Sequence, residues 1–518
     1  MSHFTAGQHN VFLYGWQPGV PTPGQEALSY ENIVGRAHDL WQNNPIARAA
    51  INRLIDNVIG TGVRLQAQPE KKMLGLTPDQ AMKWTADVEA RFRLWWESTD
   101  VDLEGTRTGA DMCRLVLTNI LVHGDSGVRF VRKNGCKGKN NLKLQVIDGT
   151  RFRTPISELR NENIISGVEV DPATNGPKAY YIDVTRPNPV TGAKIQEPKK
   201  YDRIENGRIA TDLIFIPQRP SQYRGLSIFV PVMQQLKMLM DLLDAGIRAE
   251  QNRSGVAFAI TTKQPELDVK ELDGSLDAAK DREPIPTPEE YYGKKDQSIA
   301  IGKVIRLNEG DEFVVIPNMN TAQVLKELSD LLCLVIGAAI GIPMSTLLIK
   351  YGSSYSASRG ERLDFERVDA FLFKFLTSRL CSYVYEYWLE ADIALGNTEA
   401  PGFFLAPETR AAWLAHEWSG DASGHIDPTK IVNFYKEAVA AGFCSRERAI
   451  NDLFGSDFTT EMGRIAQERN DMEKAGLSDL VQTLGMKEQK EQGDGGKDKA
   501  KDKDNGDDKD DGKGGDDE

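Results

Sequence analysis

The sequence is poor in the two residue types that most often build metal sites and covalent cross-links. It has five cysteines and six histidines, and they show neither C-x-x-C nor H-E-x-x-H spacing. The cysteines are Cys113, Cys136, Cys333, Cys381 and Cys444. We therefore predict no disulfide framework, no zinc site and no cofactor, and we expect a reducing compartment.

One short stretch is the best candidate for a metal cluster. "AHEWSGDASGH" brings His416, Glu417, Asp421 and His425 close together in the chain. A loop rich in capping and turn residues explains the same letters, and this is the interpretation that we favour.

Motifs for serine or phosphate chemistry are also missing. "GSSYS", residues 352 to 356, lacks the second glycine of a G-x-S-x-G elbow. "NGCKGKNN", residues 134 to 141, lacks the lysine pattern of a phosphate loop, so a hairpin tip is predicted there. No dinucleotide fingerprint stands out either. The protein is therefore not expected to be an enzyme.

The chain has one long uncharged segment, "LLCLVIGAAIGIPMSTLLI" at residues 331 to 349. Its length poses the question of a membrane span. "GIP" at residues 341 to 343 would interrupt such a span, and neither a second hydrophobic segment nor a basic flank supports an orientation. A buried helix that ends at Gly341 is predicted instead.

Both ends of the chain lack the pattern of a folded domain. The first residues have no basic start or apolar stretch of a secretory signal, and their Gly and Pro content predicts an irregular arm. Residues 487 to 518 contain no aliphatic side chain larger than Ala500, so a disordered acidic tail is predicted. The net charge of -13 opposes tight nonspecific binding to nucleic acid.

Helical signals come first along the folded part of the chain. One helix is predicted to begin near Pro45, a second after the capping box of Thr77 and Gln80, and a third after Thr108. From Gly127 onward, alternating residues and turn clusters predict strands. The fold class is therefore α+β.

Two long amphipathic helices follow, with a β-rich insertion between them at residues 256 to 318. The first helix, at residues 227 to 252, spans about 26 residues or roughly 40 Å. Its apolar stripe is Ile228, Val232, Leu236, Leu239, Leu243 and Ile247, and that of the second helix is Val324, Leu328, Leu331 and Val335. A helix with a single apolar stripe must bury that stripe against a neighbour.

A serine-rich loop then leads into a very long helix, predicted from Glu361 to about Leu395. The loop is rich in small hydroxyl side chains, and the cations Lys350 and Arg359 flank it. Further on, Asp427 caps a helix that Gly442 ends, and two short helices follow.

This order of segments resembles the tailed-phage portal proteins of the lambda family. The resemblance rests on a mixed α+β unit, a long helix after "RPSQYRGLS", a β-rich insertion, a helix ending in "AAIGIP", the loop "GSSYSASR" and a very long helix. The closing segment "IDPTKIVNFYKEAVAAGFCSRERAI" is similar to the C-terminal pattern of the same family. The resemblance covers roughly residues 35 to 475, and the acidic tail has no counterpart in the family.

The resemblance implies the portal architecture, a ring-forming oligomer with a two-helix stem. Its parts are an irregular N-terminal arm (1–38), an α+β wing domain (39–224), stem helix 1 (225–253), a β-rich clip (254–320), stem helix 2 (321–343), a tunnel loop (344–358), a long spine helix (359–396), a helical crown region (397–475) and the disordered acidic tail (476–518).

The resemblance also implies partners and a location. A ring of usually twelve copies at one capsid vertex would pass double-stranded DNA without sequence specificity, facing it with the tunnel loop. The residues expected there are Lys350, Tyr351, Gly352, Ser353, Ser354, Tyr355, Ser356, Ser358 and Arg359. The clip would dock the large terminase subunit and later the head-completion or connector proteins, and the major capsid or scaffolding protein is a further partner. The ring would be assembled in the host cytoplasm and remain in the virion, without stable membrane insertion.

Two other classes of protein stay open at the level of sequence. One is a DNA- or nucleotide-processing enzyme of the packaging apparatus, which the missing motifs argue against. The other is a membrane-attached assembly protein that uses the uncharged segment at residues 331 to 349.

Overall fold

The chain divides into two compact units, Met1–Asp421 and Ala422–Glu518. The computed structural model describes residues 30–133, 140–184, 198–255, 259–262, 311–314, 321–350, 355–420, 428–454 and 458–474. The first unit mixes helices with antiparallel strands, as the sequence predicted. The helical crown expected over residues 397–475 stays a prediction.

Five helices open the first unit, and local signals explain where they begin. They are α1 (Tyr30–Asn43), α2 (Pro45–Val58), α3 (Lys71–Leu74), α4 (Pro78–Trp96) and α5 (Gly109–His123). The Asn44 side chain caps α2 by accepting hydrogen bonds from the amides of Ile46 and Ala47. Helix α4 begins with the predicted capping box of Thr77 and Gln80.

The prediction of an irregular arm over residues 1–38 was wrong for its last part, where helix α1 begins. From Tyr30 onward the chain is helical, and Tyr30, Val34 and Ala37 are buried on one face. Their spacing is that of an amphipathic helix, which the Gly- and Pro-rich sequence before it obscured. Residues 1–29 lie outside the described part of the chain.

The strands of the first unit form small antiparallel sheets. They are β1 (Arg64–Ala67), β2 (Asp125–Arg132), β3 (Leu142–Asp148), β4 (Ile164–Ile165), β5 (Val168–Val170), β6 (Pro177–Ile182), β7 (Lys199–Asp202), β8 (Ile204–Glu205), β9 (Arg208–Ile209) and β10 (Thr211–Phe215). One sheet has the order β10-β2-β3 and another the order β4-β5-β6-β7, while β8 pairs with β9. Strands β2 and β3 are antiparallel partners with Val128 opposite Val146. This pairing supports the hairpin predicted around "NGCKGKNN", whose residues 134–139 are not described.

Helix α6 (Met233–Gly255) is the first of two long helices, and a 3₁₀ turn at Val230–Val232 precedes it. Pro231 lies in that turn, where it costs no α-helical hydrogen bond. Strands β11 (Ala259–Thr262) and β12 (Asp311–Val314) pair with each other beyond α6. They correspond to the strands predicted at both ends of the insertion, and residues 263–310 between them are not described.

Helix α7 (Thr321–Ile340) is the second long helix and packs against α6, with Leu325 beside Gly246. It was predicted to be buried, and this is correct for only one of its faces. Cys333, Ile336 and Ile340 are buried. The predicted stripe of Val324, Leu328, Leu331 and Val335 is instead 44–55% exposed in the single chain. Among the described helices, none is long and apolar enough to cross a membrane.

After α7 come the short helix α8 (Met344–Leu348) and a very long helical segment. The latter consists of α9 (Tyr355–Leu376), a π-helical segment (Thr377–Cys381) and α10 (Ser382–Ala394). The long helix predicted from Glu361 to about Leu395 is thus present and begins earlier, at Tyr355. It packs against the other helices of the first unit through aromatic side chains. The ring of Phe92 on α4 lies edge-on to that of Trp388, with 5.2 Å between the ring centroids.

The first unit closes with α11 (Pro407–Trp413) and strand β13 (His416–Ser419). Strand β13 pairs with β1, and Trp418 lies opposite Leu65. The sequence predicted a loop at His416, and this prediction was wrong. The strand forms because the distant segment β1 pairs with it, and the four residues of β13 alone do not reveal such a partner.

The second unit is helical in its described residues. It contains α12 (Pro428–Ala440), α13 (Arg446–Phe454) and α14 (Phe458–Lys474). Gly442 follows α12 with a φ of 76°, in line with its predicted role as a stop. The predicted cap Asp427 and the acidic tail lie outside the described residues.

Candidate functional site

A tight turn at the end of α7 directs the chain toward the candidate loop, residues 350 to 359, which holds the site residues predicted from the sequence. The amide of Ile342 donates a hydrogen bond to the carbonyl of Gly337 at 2.9 Å, as in a Schellman cap. Gly341 has a φ of 84°, which glycine adopts without steric cost. A Cβ atom at Gly337 would lie 2.5 Å from the Ile342 carbonyl oxygen. Glycine is therefore required at both positions, and the predicted helix end at Gly341 is confirmed.

Helix α8 then anchors the chain before the loop. Leu347 is buried, and the amide of Lys350 donates to the carbonyl of Ser345 at 3.0 Å. Ile349 has a φ of 53°, in the left-handed region that a β-branched residue occupies only under strain of about 1–3 kcal/mol. Such strain clusters at functional sites, and the Ile349 side chain is exposed to solvent.

The structure shortens the loop that the sequence predicted over residues 344–358. Met344–Leu348 is helical, and so is the chain from Tyr355 onward. Ser356, Ser358 and Arg359 therefore lie at the start of α9, because small residues are tolerated in a first helical turn as well as in a loop. Lys350 and Arg359 are exposed, Ser358 is half-buried, and the predicted site residues Tyr351, Gly352, Ser353 and Ser354 lie outside the described residues.

A hydrogen bond between polar side chains links α8 and α9, the two helices on either side of the loop. The Ser345 hydroxyl of α8 donates to the Glu361 carboxylate of α9. One turn further along α9, Arg362 and Glu366 form an ion pair at 3.0 Å. The ends of the loop are thus fixed to each other by a bond between α8 and α9.

Asp369 is an unusual carboxyl group on the same helix. Burial, and secondarily the nearby Glu366, raises the pKa of Asp369 to about 7. Its Oδ1 atom has no hydrogen-bond partner among the described residues. Ionisation of Asp369 therefore opposes folding of the single chain.

We expect the Asp369→Asn variant to be more stable than the natural protein at pH 8, by about 1–2 kcal/mol after allowance for partial exposure. The folded-state pKa lies above the unfolded one, so the penalty is absent below the unfolded pKa near 4 and complete above pH 7. Urea denaturation at pH 8 and at pH 4 measures the difference, which should vanish at pH 4. Asp364→Asn, at an exposed position of α9, is the control. A loss of stability in Asp369→Asn at pH 8 would contradict this account.

A buried ionic cluster involves residues from α1, β2 and the segment before α6, and no sequence signal revealed it. Arg224 donates to both carboxylate oxygens of Asp125, at 2.7 and 3.0 Å. The Tyr30 hydroxyl donates to the same carboxylate, and the Tyr30 ring centroid lies 3.8 Å from the guanidinium carbon. Arg224 also donates to the backbone carbonyls of Gly149, Phe152 and Ser166. Burial and the Asp125 charge raise the pKa of Tyr30 well above its ordinary value.

The candidate metal cluster is not assembled by the residues that the structure describes. The His416 ring shares hydrogen bonds with the Ser382 hydroxyl at 2.8 Å and the Leu414 carbonyl at 2.6 Å. Glu417 follows it on β13, and Asp421 and His425 are not described. Within the described ranges, no three His, Cys, Asp or Glu side chains are placed to hold a metal ion.

Comparison with known proteins identifies the family. The family "Phage portal protein, lambda family" matches residues 11–369, which include α6, α7 and the candidate loop. Portal protein B of Escherichia phage lambda is 25% identical over 487 residues, covering 90% of this chain and 88% of that protein. The portal protein of Escherichia phage N15 is 24% identical over 494 residues, covering 92% and 91%.

Solved structures also align with most of the chain. One, described as "Neck of native GTA particle computed with C12 symmetry", is 13% identical with a TM-score of 0.47 and covers 80% of this chain and 92% of its own. Another, "Neck of empty GTA particle computed with C6 symmetry", is 14% identical with a TM-score of 0.48 and covers 85% and 96%.

The portal protein family is a family of structural proteins and is not known for enzymatic activity. The chain belongs to the lambda family of phage portal proteins. It is a component of the virion, as portal proteins are.

Proposed function

We propose that copies of this chain form a ring around a channel, through which double-stranded DNA is packaged into the capsid and later ejected. The observation that carries the proposal is the exposed apolar surface of the stem helices. This stem stripe consists of Leu243 and Ile247 on α6 and Val324, Leu328, Leu331 and Val335 on α7. Large exposed apolar patches mark surfaces that bind a partner.

The contacts within the subunit leave the stem stripe free for a neighbour. Helices α6 and α7 meet through other residues, such as Gly246 and Leu325. The buried side chains Cys333, Ile336 and Ile340 occupy a different face of α7 from the stripe. A second copy can cover the stem stripe while its own stripe stays exposed to receive a third copy. When successive copies are related by a rotation that closes on itself, these repeated contacts make a ring. Twelve copies is the number that membership of the portal family favours.

The candidate loop is proposed to face the DNA in the channel. Strain at Ile349 and the exposed cations Lys350 and Arg359 support this role for the segment from Lys350 to Arg359. In an acidic protein, a few cations per subunit provide weak contacts with phosphates, so DNA is held without being trapped. Hydroxyl side chains of the segment would add contacts that do not depend on base sequence.

The remaining partners follow from membership of the family. The clip, residues 254–320, is proposed to dock the large terminase subunit during packaging and the head-completion or connector proteins afterwards. The major capsid or scaffolding protein is proposed to hold the ring at one vertex. These assignments rest on the order of segments along the chain.

The double variant Lys350→Ala/Arg359→Ala is expected to assemble into normal rings and to package DNA several-fold less well. The two side chains are exposed, so the fold should tolerate their loss, while each subunit loses two phosphate contacts. Negative-stain images report assembly, and nuclease-resistant DNA in particles reports packaging.

A matched control removes two exposed cations elsewhere. Lys71→Ala/Lys72→Ala changes the charge equally on α3 and should package normally. If both double variants package DNA as the natural protein does, the candidate loop does not contact DNA. If only Lys350→Ala/Arg359→Ala fails to form rings, the segment is structural instead.

A further inference from the structure

Two cysteines that are distant in sequence lie together in the core. Cys113 on α5 and Cys381 in the π-helical segment are 268 positions apart, and their sulfur atoms are 3.8 Å from each other. One thiol hydrogen-bonds the other. The scattered positions of the cysteines in the sequence gave no sign of this pair.

The pair is well protected from reagents. Both residues are fully buried within the main hydrophobic core. The hydrogen bond with Cys113, together with burial, raises the pKa of the Cys381 thiol well above its ordinary value. Because the thiolate is the reactive form, both sulfurs should stay reduced while α5 and the long helix remain in contact.

The backbone around Cys381 is not regular α-helix, and this affects how closely the Cys381 sulfur can approach the Cys113 sulfur. A disulfide needs sulfur atoms about 2.05 Å apart, so the pair must close by roughly 1.8 Å. Cys381 ends the π-helical segment Thr377–Cys381, and the Thr377 hydroxyl lies 2.9 Å from the Phe373 carbonyl oxygen, to which it donates. Segments of this kind are rare and are found mostly at functional positions of helices.

We propose that Cys113 and Cys381 are an oxidation site, at which a small-molecule disulfide converts the two thiols into one intramolecular disulfide that ties the long helix to α5. In the first step one cysteine thiolate attacks the reagent, giving a mixed disulfide and one reduced reagent thiol. In the second step the other cysteine attacks the mixed disulfide and releases the second reagent thiol. The protein loses two electrons and two protons, and the reagent gains them.

Because the pair is buried, the reagent can reach it only when the surrounding structure opens. Oxidation requires a transient opening between α5 and the π-helical segment, so its rate reports how often this contact opens. Once formed, the bond links elements that are far apart in sequence. It therefore restricts the unfolded chain and holds the contact closed.

The test treats the full-length protein with oxidised glutathione, with and without a low concentration of urea, and then blocks free thiols with an alkylating reagent. Peptide mapping should identify a Cys113–Cys381 linkage that forms faster in urea. The oxidised protein should unfold at a higher urea concentration than the reduced protein, and a reducing agent should reverse this shift. A Cys333→Ala/Cys444→Ala variant should behave identically.

A variant that lacks one cysteine of the pair shows whether both sulfurs are needed. Cys381→Ala should show no linkage and no stabilisation by oxidised glutathione, and it is compared with its own reduced form, so that any loss of stability from the substitution cancels. Glutathione adducts on Cys113 or Cys381 that never resolve into a linkage would overturn the proposal. Full reduction of both thiols after incubation in urea would overturn it too.

Discussion

Replacement of Arg224 by methionine is expected to lower the free energy of unfolding of the subunit by about 3–5 kcal/mol. The side chains of Arg224 and Asp125 are 2% and 0% exposed. Methionine fills much of the same volume, so the loss comes mainly from the Asp125 carboxylate, which would stay buried without its cation. Removing one partner of a buried ion pair is costly for this reason.

Urea denaturation of Arg224→Met measures this cost. Arg367→Met is the control, because Arg367 is exposed and pairs only with the exposed Asp364 among the partners that the structure gives it, and surface substitutions change stability by about 0.5 kcal/mol at most. The double variant Arg224→Met/Asp125→Leu should recover part of the lost stability, since it removes the buried charge. A loss below about 1 kcal/mol in Arg224→Met would show that the ionic cluster does not stabilise the fold.

The Leu331→Glu variant is expected to abolish ring assembly and leave the subunit folded. Leu331 is 55% exposed in the single chain, so glutamate can stay in water there at little cost. In a ring the same position would bury a carboxylate against the neighbouring copy. The lost apolar burial costs about 1.5–3 kcal/mol and the buried charge costs several kcal/mol more at every interface.

Light scattering and circular dichroism separate assembly from folding in this experiment. Gln323→Glu is the matched control, because it adds the same single charge at an exposed polar position of α7. It should form rings as the natural protein does. Intact rings in Leu331→Glu would show that the stem stripe is not an interface between copies, and an unfolded Leu331→Glu subunit would show that the stripe serves the fold.

The features that the sequence predicted well are those fixed by neighbouring residues. The capping box of Thr77 and Gln80, the helix end at Gly341 and the stop at Gly442 all depend on local hydrogen bonds or on the conformational freedom of glycine. The two long helices α6 and α7 were predicted because their apolar residues recur at helical spacing over many turns. Such signals require no knowledge of the rest of the chain.

The features that the sequence missed depend on partners far away along the chain. Strand β13 exists because β1 pairs with it, and Arg224 is neutralised by Asp125, 99 positions earlier. The thiol pair of Cys113 and Cys381 is a contact of the same kind. In the candidate loop, serines favoured a long irregular segment, but small residues also suit the first turn of a helix, and α9 begins at Tyr355.

The stem stripe shows a third kind of limit. Its pattern predicted a buried face of α7, and the pattern alone does not say whether the burial occurs within one chain or between chains. The single chain leaves Val324, Leu328 and Leu331 exposed. The apolar residues were identified correctly, and the partner that covers them is proposed to be a second copy.

Negative-stain imaging of the purified full-length protein tests the central claim most directly. The account predicts annular projections with a central opening, of uniform diameter and consistent with about twelve subunits. Uniform particles of the size of one chain, at protein concentrations where capsids assemble, would contradict it.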